Sequence, residues 1–429
     1  MFQGKRSDSS VKNRTLPVPI GEIDAVVLSH AHIDHSGRLP FLVAKGYSKT
    51  IWATSATRDL CAVMLADSAH IQEKDAEFLA RRNKEVLEPL YGMRDAVRTM
   101  ELMVGIPYNK PFDVVPGVTG TYIDAGHILG SATVILDCTE NGVTKRLVFS
   151  GDIGRSGLAI IRDPVIPTGA NALIMESTYG NRDHESVDGA KAHLAKVVRE
   201  TAARGGRVMV PAFAVGRTQE ILYNLHALVR EGAIPSIPIY VDSPLATDTT
   251  TVFELHPETY DQSEDMVKRV KELFHFPLVH FTRDVEESKA INWAKGPMIV
   301  IAASGMMEAG RILHHLANGA ADPKNTILIV GFQAAHTLGR RIVERQPMLK
   351  IFGEEVPLRA QVEVINGYSA HADRSELNAW IDKVKAASPG FGPVWLVHGE
   401  AEVQDEYQTA LSSRGYSVTS PEPHTTVSF

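Results

Sequence analysis

Short apolar runs rich in β-branched residues recur along the first half of the chain. They are four to six residues long and lie at 25–29, 121–124, 132–137, 146–150 and 172–176. This length and composition, with polar or glycine-containing turns between the runs, are typical of strands rather than helices. Because few long helical patterns separate the last four runs, residues 121–176 are predicted to form a β-rich layer.

The pattern changes in the middle of the chain, where helical spacing alternates with short apolar runs. An amphipathic helix is predicted near 186–203 and another from Gly216. Predicted strands lie at 207–211, 237–242, 297–302 and 326–330. Strands separated by helices imply a parallel α/β sheet. Towards the C-terminus, the chain supplies a further helix from Arg374 and a strand at 393–397.

The composition suits two domains of ordinary size, since 429 residues with 44% hydrophobic content can bury two cores. Cys61 and Cys138 lie in apolar surroundings and give no disulfide framework, so we expect structural thiols in a reducing cytoplasm. No stretch approaches the roughly 18 apolar residues of a membrane helix, so no membrane partner is expected. The net charge of -7 argues against a broad basic surface for nucleic acid, although bound metals or local arginines can still attract phosphate.

Four potential metal ligands occupy the hexapeptide after the first apolar run: His30, His32, Asp34 and His35. In extended backbone, residues two apart project to the same side, so His30 and His32 can face one ion. Asp34 and His35 follow a turn and would face a second ion about 3.5 to 4 Å from the first. Isolated histidines are commonly surface or packing residues, but burying this group together would cost several kcal/mol without a cation. The hexapeptide therefore predicts a binuclear metal site.

Three further strand ends each present a side chain that can ligate a metal. His127 lies between two glycines after one strand, Asp152 follows a second strand, and His398 follows the predicted strand at 393–397. Taken alone, each of these residues is more simply explained by a structural role. Together they supply ligands that the opening loop lacks, and a carboxylate such as Asp152 can bridge two cations.

Three of these segments together resemble the metallo-β-lactamase superfamily: the His-x-His-x-Asp-His loop, the Gly-His-x-x-Gly segment and the Ser-Gly-Asp segment. Four more motifs resemble its β-CASP branch, which comprises nucleases related to the pre-mRNA 3′-end cleavage subunit and its bacterial and archaeal relatives. These motifs lie at 175–180, 211–220, 304–306 and 368–373. The resemblance implies an αββα metallo-β-lactamase sandwich made of residues 1–183 and 368–429. A parallel α/β β-CASP cassette at 184–367 would interrupt it.

The resemblance also implies roles for individual residues. Two zinc ions would be held by two sets of four ligands with one bridging aspartate in common: His30, His32, His127 and Asp152, and Asp34, His35, His398 and Asp152. The two ions would activate a water that attacks phosphorus. Asp34 is also counted among the catalytic residues. His371 would protonate the leaving oxygen, and Glu176 would orient His371.

By the same resemblance, the cassette would hold a single strand of RNA. Arg217 at the start of a helix, the Ser304-Gly305 turn, Arg311 and Gln333 all follow predicted strands. Helix N-termini, glycine amides and arginines bind phosphate well. The alternative is that Arg217 and Arg311 are ordinary surface residues on helices.

The function predicted on this basis is a zinc-dependent ribonuclease, mainly endonucleolytic, with 5′-exonuclease activity as a further option. His398 favours RNA, because the DNA-repair members of the family usually have valine at this position. Two alternatives stay open: a small-molecule ester or thioester hydrolase, and a catalytically silent RNA-binding subunit. The silent subunit stays open because one family motif has no counterpart in this sequence. Family members usually carry additional residues ahead of the position equivalent to Met1. Those residues form the first strands and supply an aspartate that orients the metal loop. A homodimer is suggested by the resemblance alone.

Overall fold

One folded unit of this chain is interrupted by a second. In the computed structural model, which describes residues 1–2, 11–81, 88–261, 270–423 and 425–429, the first unit comprises Met1–Asp183 and His371–Phe429. The second unit is the intervening segment His184–Ala370. Both units combine helices with strands, which confirms the predicted α/β fold class.

Two sheets form the framework of the first unit. The smaller sheet has three parallel strands in the order β1-β2-β3: β1 Val26–Val27, β2 Ile51–Thr54 and β3 Met103–Ile106. The larger sheet has the order β18-β17-β8-β7-β6-β5-β4: β4 Phe112–Val115, β5 Val118–Asp124, β6 Ala132–Glu140, β7 Val143–Phe149, β8 Ala172–Glu176, β17 Val394–Val397 and β18 Val418–Thr419. Neighbours from β4 to β7 are antiparallel, whereas β7, β8, β17 and β18 pair in parallel.

The four apolar runs predicted between residues 121 and 176 form β5 to β8. Strands β6 and β7 are joined by a tight turn in which Asn141 and Gly142 have φ angles of 50° and 78°. Positive φ at both central residues is typical of a type I′ turn, which suits an Asn-Gly pair and fixes the register of the hairpin. The predicted β-rich layer is confirmed.

The α-helices of the first unit include α1 Ile33–Ser36, α2 Leu39–Ala44, α3 Ser55–Arg81, α4 Met93–Leu102, α11 Arg374–Ala386 and α12 Ala401–Ser413, and residues 11–14 are also helical. The segment that returns after the second unit completes the core. Ile381 of α11 and Leu411 of α12 belong to one buried cluster with Leu173 of β8 and Leu396 of β17. Strand β17 pairs with β8 in parallel, with Val397 opposite Glu176.

The second unit contains a parallel six-stranded sheet in the order β11-β10-β12-β9-β13-β16: β9 Arg207–Pro211, β10 Ile239–Val241, β11 Val279–Phe281, β12 Met298–Ala302, β13 Thr326–Ile329 and β16 Gln361–Val364. A separate hairpin is formed by β14 Met348–Ile351 and β15 Glu354–Pro357. The α-helices of this unit include α5 Val187–Ala203, α6 Arg217–Arg230, α7 Pro244–Leu255, α8 Val285–Trp293, α9 Ile312–Gly319 and α10 Leu338–Val343, and residues 270–274 are also helical. The predicted alternation of strands and helices is confirmed.

The central strands of this second sheet are almost entirely buried, as every residue of β12 and β13 shows. Such runs are typical of parallel strands covered on both faces.

Among the described helices of the whole chain, none has the length and apolar character needed to cross a membrane.

Candidate metal centre

Several strand ends meet at one edge of the first unit. Strands β5, β7, β8 and β17 run in the same direction, so their carboxyl ends lie at the same edge of the large sheet. The small sheet joins them there, because the amide of Ala132 donates to the carbonyl of Ser29 at 2.9 Å. The loops after β1, β5, β7 and β17 carry ligand-type side chains: His30, His127, Asp152 and His398.

Two of these loops are packed backbone to backbone. A Cβ atom at Gly154 would lie 1.7 Å from the carbonyl oxygen of Gly126, so only glycine fits at position 154. Gly126 itself has a φ of 64°, in the left-handed region that favours glycine. This close approach brings His127 and Asp152 to the same place.

The first group of ligand-type side chains comprises His30, His32, His127 and Asp152, whose ligand atoms all lie within 4.8 Å of one another. Nε2 of His30 and Nε2 of His127 lie 3.3 and 3.5 Å from Oδ2 of Asp152. Nδ1 of His32 lies 3.1 Å from Nε2 of His127. His30, His127 and Asp152 are buried. The structure therefore brings together all four residues of the first predicted set.

The second group comprises Asp34, His35 and His398. Nε2 of His398 lies 3.2 Å from Nε2 of His35 and 3.3 Å from Oδ2 of Asp34. Asp152 adjoins this group too, since Oδ2 lies 3.4 Å from Nε2 of His35 and Oδ1 lies 3.5 Å from Nδ1 of His398. A carboxylate that faces both groups is placed where it can bridge two cations.

Burial and charge prepare the first group for a cation. Burial lowers the pKa of both His30 and His127, which keeps these imidazoles in the neutral form that ligates metals. Burial of Asp152 would raise the pKa of its carboxyl, but His35, His398 and His30 outweigh this effect and hold that pKa well below its usual range. Asp152 is therefore an anion surrounded by nitrogen donors.

The second group holds a proton when no cation is bound. Burial would lower the pKa of His398, but the carboxylates of Asp152 and Asp34 outweigh it and raise that pKa to about 10. Burial would raise the pKa of Asp34, but its hydrogen bond with His398 and the charge of His35 keep that pKa below its usual value. A cation at this group would compete with the proton on His398, so its affinity would increase with pH.

The donor atoms present fit a metal ion. Within the described part of the chain, Nε2 of His30 and Oδ1 of Asp152 are buried and make no hydrogen bond. Both atoms belong to residues of the ligand groups. Buried polar atoms are nearly always satisfied, so these two indicate a missing partner. A set of imidazole nitrogens and carboxylate oxygens is the set that zinc prefers.

Beside these groups, His371 is held by Glu176. The Glu176 side chain is fully buried, and its Oε2 and Oε1 lie 3.1 and 3.3 Å from Nδ1 of His371. Nε2 of His371 lies 4.0 Å from Oδ2 of Asp152, so this nitrogen faces the ligand groups. Burial would lower the pKa of His371, but the charge of Glu176 outweighs it and raises that pKa. By distance alone, His371 could also ligate an ion through Nε2, together with Asp152 and His398.

Three segments of the chain match known protein families. Residues 10–184 match the metallo-β-lactamase superfamily, residues 218–342 match the Beta-Casp domain, and residues 355–421 match the Zn-dependent metallo-hydrolase RNA specificity domain. The chain is 36% identical to ribonuclease TTHA0252 of Thermus thermophilus over 427 residues, which cover 98% of this chain and 90% of that protein. The chain belongs to the β-CASP family of metallo-β-lactamase proteins. It is therefore a metal-dependent hydrolase, as predicted.

The β-CASP chain also resembles longer relatives. It is 31% identical to the transcription termination factor FttA of Methanosarcina mazei over 395 residues, which cover 89% of this chain and 59% of that protein. It is 32% identical to FttA of Pyrococcus abyssi over 417 residues, which cover 94% of this chain and 61% of that protein. This β-CASP chain thus spans nearly the whole ribonuclease and about three fifths of these termination factors.

In the second unit, three of the five residues predicted to bind RNA line one cleft. Arg217, Gly305 and Gln333 surround it with Phe213, and the other lining residues are Pro211, Val330 and Gly331. Nε2 of Gln333 donates to the carbonyl oxygen of Gly305 at 3.0 Å, which fixes the turn that contains Ser304. The lining brings together a guanidinium, an aromatic ring and turn backbone, which are kinds of group that contact nucleotides. In this structure the cleft is narrow, and the side chains of Arg217 and Gln333 are buried.

Arg311 lies in a different environment from that expected of an RNA-binding arginine. Its Nη1 donates to Oδ1 of the fully buried Asp242 at 2.7 Å, and its Nη2 donates to the carbonyl oxygen of Arg283 at 2.7 Å. The same carboxylate accepts hydrogen bonds from Ser288 and lies 2.7 Å from Nε2 of His315. The charge of Arg311 therefore neutralises a buried carboxylate, and its contact with RNA stays a prediction.

Two hydroxyl residues that contact the ligands were not predicted from the sequence. Oγ1 of Thr178 lies 3.0 Å from Nδ1 of His398, and Oγ of Ser29 lies 3.1 Å from Nδ1 of His30. Each contact orients an imidazole so that Nε2 faces the site. Thr178 lies in the motif at 175–180, so its position beside Glu176 was the available signal.

Proposed function

We propose that this chain is a ribonuclease that hydrolyses phosphodiester bonds of single-stranded RNA, mainly endonucleolytically, with the aid of two zinc ions. The observation that supports this most is the arrangement around Asp152. Two groups of ligand-type side chains, seven in all, meet at this carboxylate. His371 lies beside them with its Nδ1 held by a buried glutamate.

Each group would hold one ion. His30, His32 and His127 would bind the first, Asp34, His35 and His398 the second, and Asp152 would bridge them. Bound zinc would lower the pKa of a water molecule and stabilise the charge that develops on the phosphate oxygens.

The protein's own residues would supply the proton for the leaving group. Glu176 holds Nδ1 of His371, so the proton that His371 can give away is on Nε2, which faces the ligand groups. The negative charge of Glu176 favours the imidazolium form. His371 would donate this proton to the leaving oxygen as the P–O bond breaks, and it would regain a proton from solvent.

The choice of RNA as substrate is supported by the second unit and by the relatives. The cleft around Arg217, Gly305, Gln333 and Phe213 offers contacts to phosphate and base. Residues 355–421 match a domain described by its RNA specificity, and the relatives include a ribonuclease and transcription termination factors. We propose that this cleft binds the RNA strand.

The alternatives have less support. A catalytically silent subunit would be expected to lack ligands, yet all seven ligand-type residues are present and grouped. A small-molecule hydrolase would not require a cleft of this kind in a second unit. A homodimer and a cytoplasmic location stay predictions.

The test is cleavage of single-stranded RNA by the purified chain, with zinc measured on the same sample. An RNA labelled in separate preparations at its 5′ and 3′ ends should yield labelled products of intermediate length from both ends. The same protein sample should contain about two zinc ions per chain. His398→Ala should lose about one zinc ion and most of the activity, while His70→Ala, which changes an exposed histidine, should retain both. A folded, zinc-loaded wild-type chain that leaves RNA intact would contradict the proposal.

A further inference from the structure

The segment from Asp152 to Arg155 connects the ligand groups with the segment that carries His371. The amide of Ile153 donates to Oε1 of Glu176 at 2.5 Å, and the carbonyl oxygen of Ile153 accepts from the amide of Ala372 at 2.8 Å. The next residue, Gly154, forms an antiparallel bridge with His371. The chain at His371 and directly after it is therefore aligned by backbone pairing with the segment that begins with Asp152.

Arg155 extends this connection with a side chain. It is buried, and its Nε lies 3.3 Å from Oε2 and 3.5 Å from Oε1 of Glu376 on α11. Arginine is rarely buried to this extent without a structural or functional reason. Its partner is near the first turn of the helix that follows His371.

Glu376 transmits the contact to the backbone beside His371. Its Oε2 accepts a hydrogen bond from the amide of Asp373 at 2.9 Å, and Oδ1 of Asp373 accepts one from the amide of Glu376 at 2.9 Å. This reciprocal arrangement is a capping box. The carboxylate that accepts from Asp373 thus also pairs with Arg155, so Arg155 acts on the backbone two residues after His371.

We propose that Arg155 is a positioning residue for His371. This inference rests on the proposed function, in which His371 protonates the leaving oxygen. Glu176 fixes the rotation of the imidazole through Nδ1, but the position of Nε2 also depends on where the main chain of His371 lies. The Arg155–Glu376 pair fixes that main chain against the Asp152 segment. Without the pair, the ligand groups stay intact while Nε2 of His371 loses its alignment with the leaving oxygen.

The experiment compares two RNA substrates that differ in one atom. One is ordinary RNA, and the other carries sulfur in place of the leaving oxygen at a single linkage, since a thiolate leaves without a proton. At saturating RNA, Arg155→Ala should slow cleavage of the ordinary substrate by about 10- to 100-fold, because a catalytic group displaced by about 1 Å can lower the reaction rate by this factor. His371→Ala should act in the same way, and for both variants the sulfur substrate should be cleaved at close to the wild-type rate. Arg155→Lys, which keeps the charge, should recover part of the lost rate on ordinary RNA.

A matched control removes another arginine pair from the same helix. Nη2 of Arg414 lies 2.6 Å from Oδ2 of Asp382, in the second half of α11. Arg414→Ala should change both rates by no more than about twofold. In the metal-free chain, Arg155→Ala should increase deuterium exchange at Ala372 and Asp373, and Arg414→Ala should not.

The double variant Arg155→Ala with His371→Ala separates positioning from a general structural effect. If Arg155 acts through His371, the double variant should be no slower than His371→Ala alone. Equal slowing on both substrates, loss of zinc in Arg155→Ala, or additive effects in the double variant would overturn the inference. Should Arg155→Ala not fold, Glu376→Gln, which keeps the cap and removes the charge, decides by the same criteria.

These outcomes are distinct from failure of the proposed function. If the wild-type chain does not cleave RNA, the proposed function is wrong and the inference is wrong with it. If the wild type cleaves RNA and His371→Ala is impaired while Arg155→Ala and Glu376→Gln are not, only the inference is wrong.

Discussion

His398 shows how a single residue depends on its immediate neighbours. It has a φ of 51°, in the left-handed region that few non-glycine residues adopt. Its carbonyl accepts a hydrogen bond from the amide of Ser177 at 3.1 Å, and its Nδ1 lies 3.0 Å from Oγ1 of Thr178. These contacts maintain an unfavourable backbone conformation that directs Nε2 towards Asp34 and His35.

Thr178→Ala should therefore lower the affinity of the second proposed zinc ion, the one at Asp34, His35 and His398. Loss of the hydroxyl removes the partner of Nδ1, and such losses typically reduce metal affinity by about 10- to 100-fold. Zinc affinity measured by competition with a coloured chelator should show one weakened ion and one unchanged. Thr178→Ser keeps the hydroxyl and should bind both ions as the wild type does. Equal affinities in the alanine and serine variants would show that Thr178 does not orient His398.

Asp124, at the end of β5, is a buried carboxyl with an unfavourable charge. Burial raises its pKa to about 7, in spite of the hydrogen bond from the amide of Gly126. Its pKa in the unfolded chain is about 4, so the folded state binds more protons between about pH 4 and 7. The contribution of Asp124 to the free energy of unfolding of the metal-free chain should fall as pH rises through this window and level off above it.

Asp124→Asn should remove this part of the pH dependence while keeping an oxygen that accepts from Gly126. Relative to wild type, the variant should gain stability between pH 5 and pH 8 by an amount on the order of a few kcal/mol, since one pKa unit corresponds to about 1.4 kcal/mol. Urea unfolding of both proteins in the presence of a metal chelator measures the difference. Asp113→Asn, at an exposed strand position, is the control, and an equal shift in it would argue against Asp124 as the cause.

At the scale of elements, the site depends on how close the loops after the strands can come. Gly154 has the carbonyl of Gly126 where a Cβ would lie, at 1.7 Å. Gly154→Ala should force the two loops apart, lower the free energy of unfolding by about 1 to 3 kcal/mol, and reduce zinc binding. Thermal unfolding with and without zinc gives both effects. Gly21→Ala is the control because a Cβ there has open space, and a Gly154→Ala variant as stable as this control would refute the packing argument.

Local pattern predicted only part of the strands and helices, and strands such as β2, β3 and β11 were not predicted. The four runs that form β5 to β8 are short and rich in β-branched residues, and all four were predicted to be strands. Helix α3, with 27 residues, was not predicted, although its buried residues Leu60, Met64 and Leu65 recur at helical spacing. The pairing of β17 with β8 cannot be read from local pattern, because the whole second unit lies between them in sequence. That pairing sets Val397 opposite Glu176 and so places His398 at the site.

The metal ligands were easier to predict from the sequence than the residues that position the site. His30 and His32 follow from spacing after a strand, and the strand-end positions of His127, Asp152 and His398 indicated that they complete the site. Only the division of these ligands between two ions depended on the family resemblance. The pair between Arg155 and Glu376 was not anticipated, because its two members lie 221 positions apart in the chain. Arg311 was predicted within a helix and lies at the N-cap of α9. Its charge is engaged by a buried carboxylate that only the fold brings close.

At the scale of the whole molecule, a chain with a net charge of -7 is proposed to bind a polyanion. Attraction would have to come from a few local charges rather than from the total charge. The bound ions would supply one such region, because they face only the carboxylates of Asp34 and Asp152 among the proposed ligands. In the second unit, Arg217 would supply another if RNA reaches its side chain, which is buried and lies close enough to Glu220 for the two charges to interact. RNA affinity should therefore be sensitive to single arginines.

Arg217→Ala tests this dependence. Removal of one phosphate contact should weaken binding of single-stranded RNA to the metal-free chain, and it should reduce the slope of log K against log salt concentration by about 0.7. Zinc content should be unchanged, since Arg217 lies in the second unit and all the proposed ligands lie in the first. Arg230→Ala removes the arginine at the other end of the same helix, where it is exposed, and should leave the slope unchanged. Fluorescence anisotropy at several salt concentrations measures both variants. If the two variants lose the same affinity, the cleft is not the RNA-binding site and the general charge of the second unit is responsible instead.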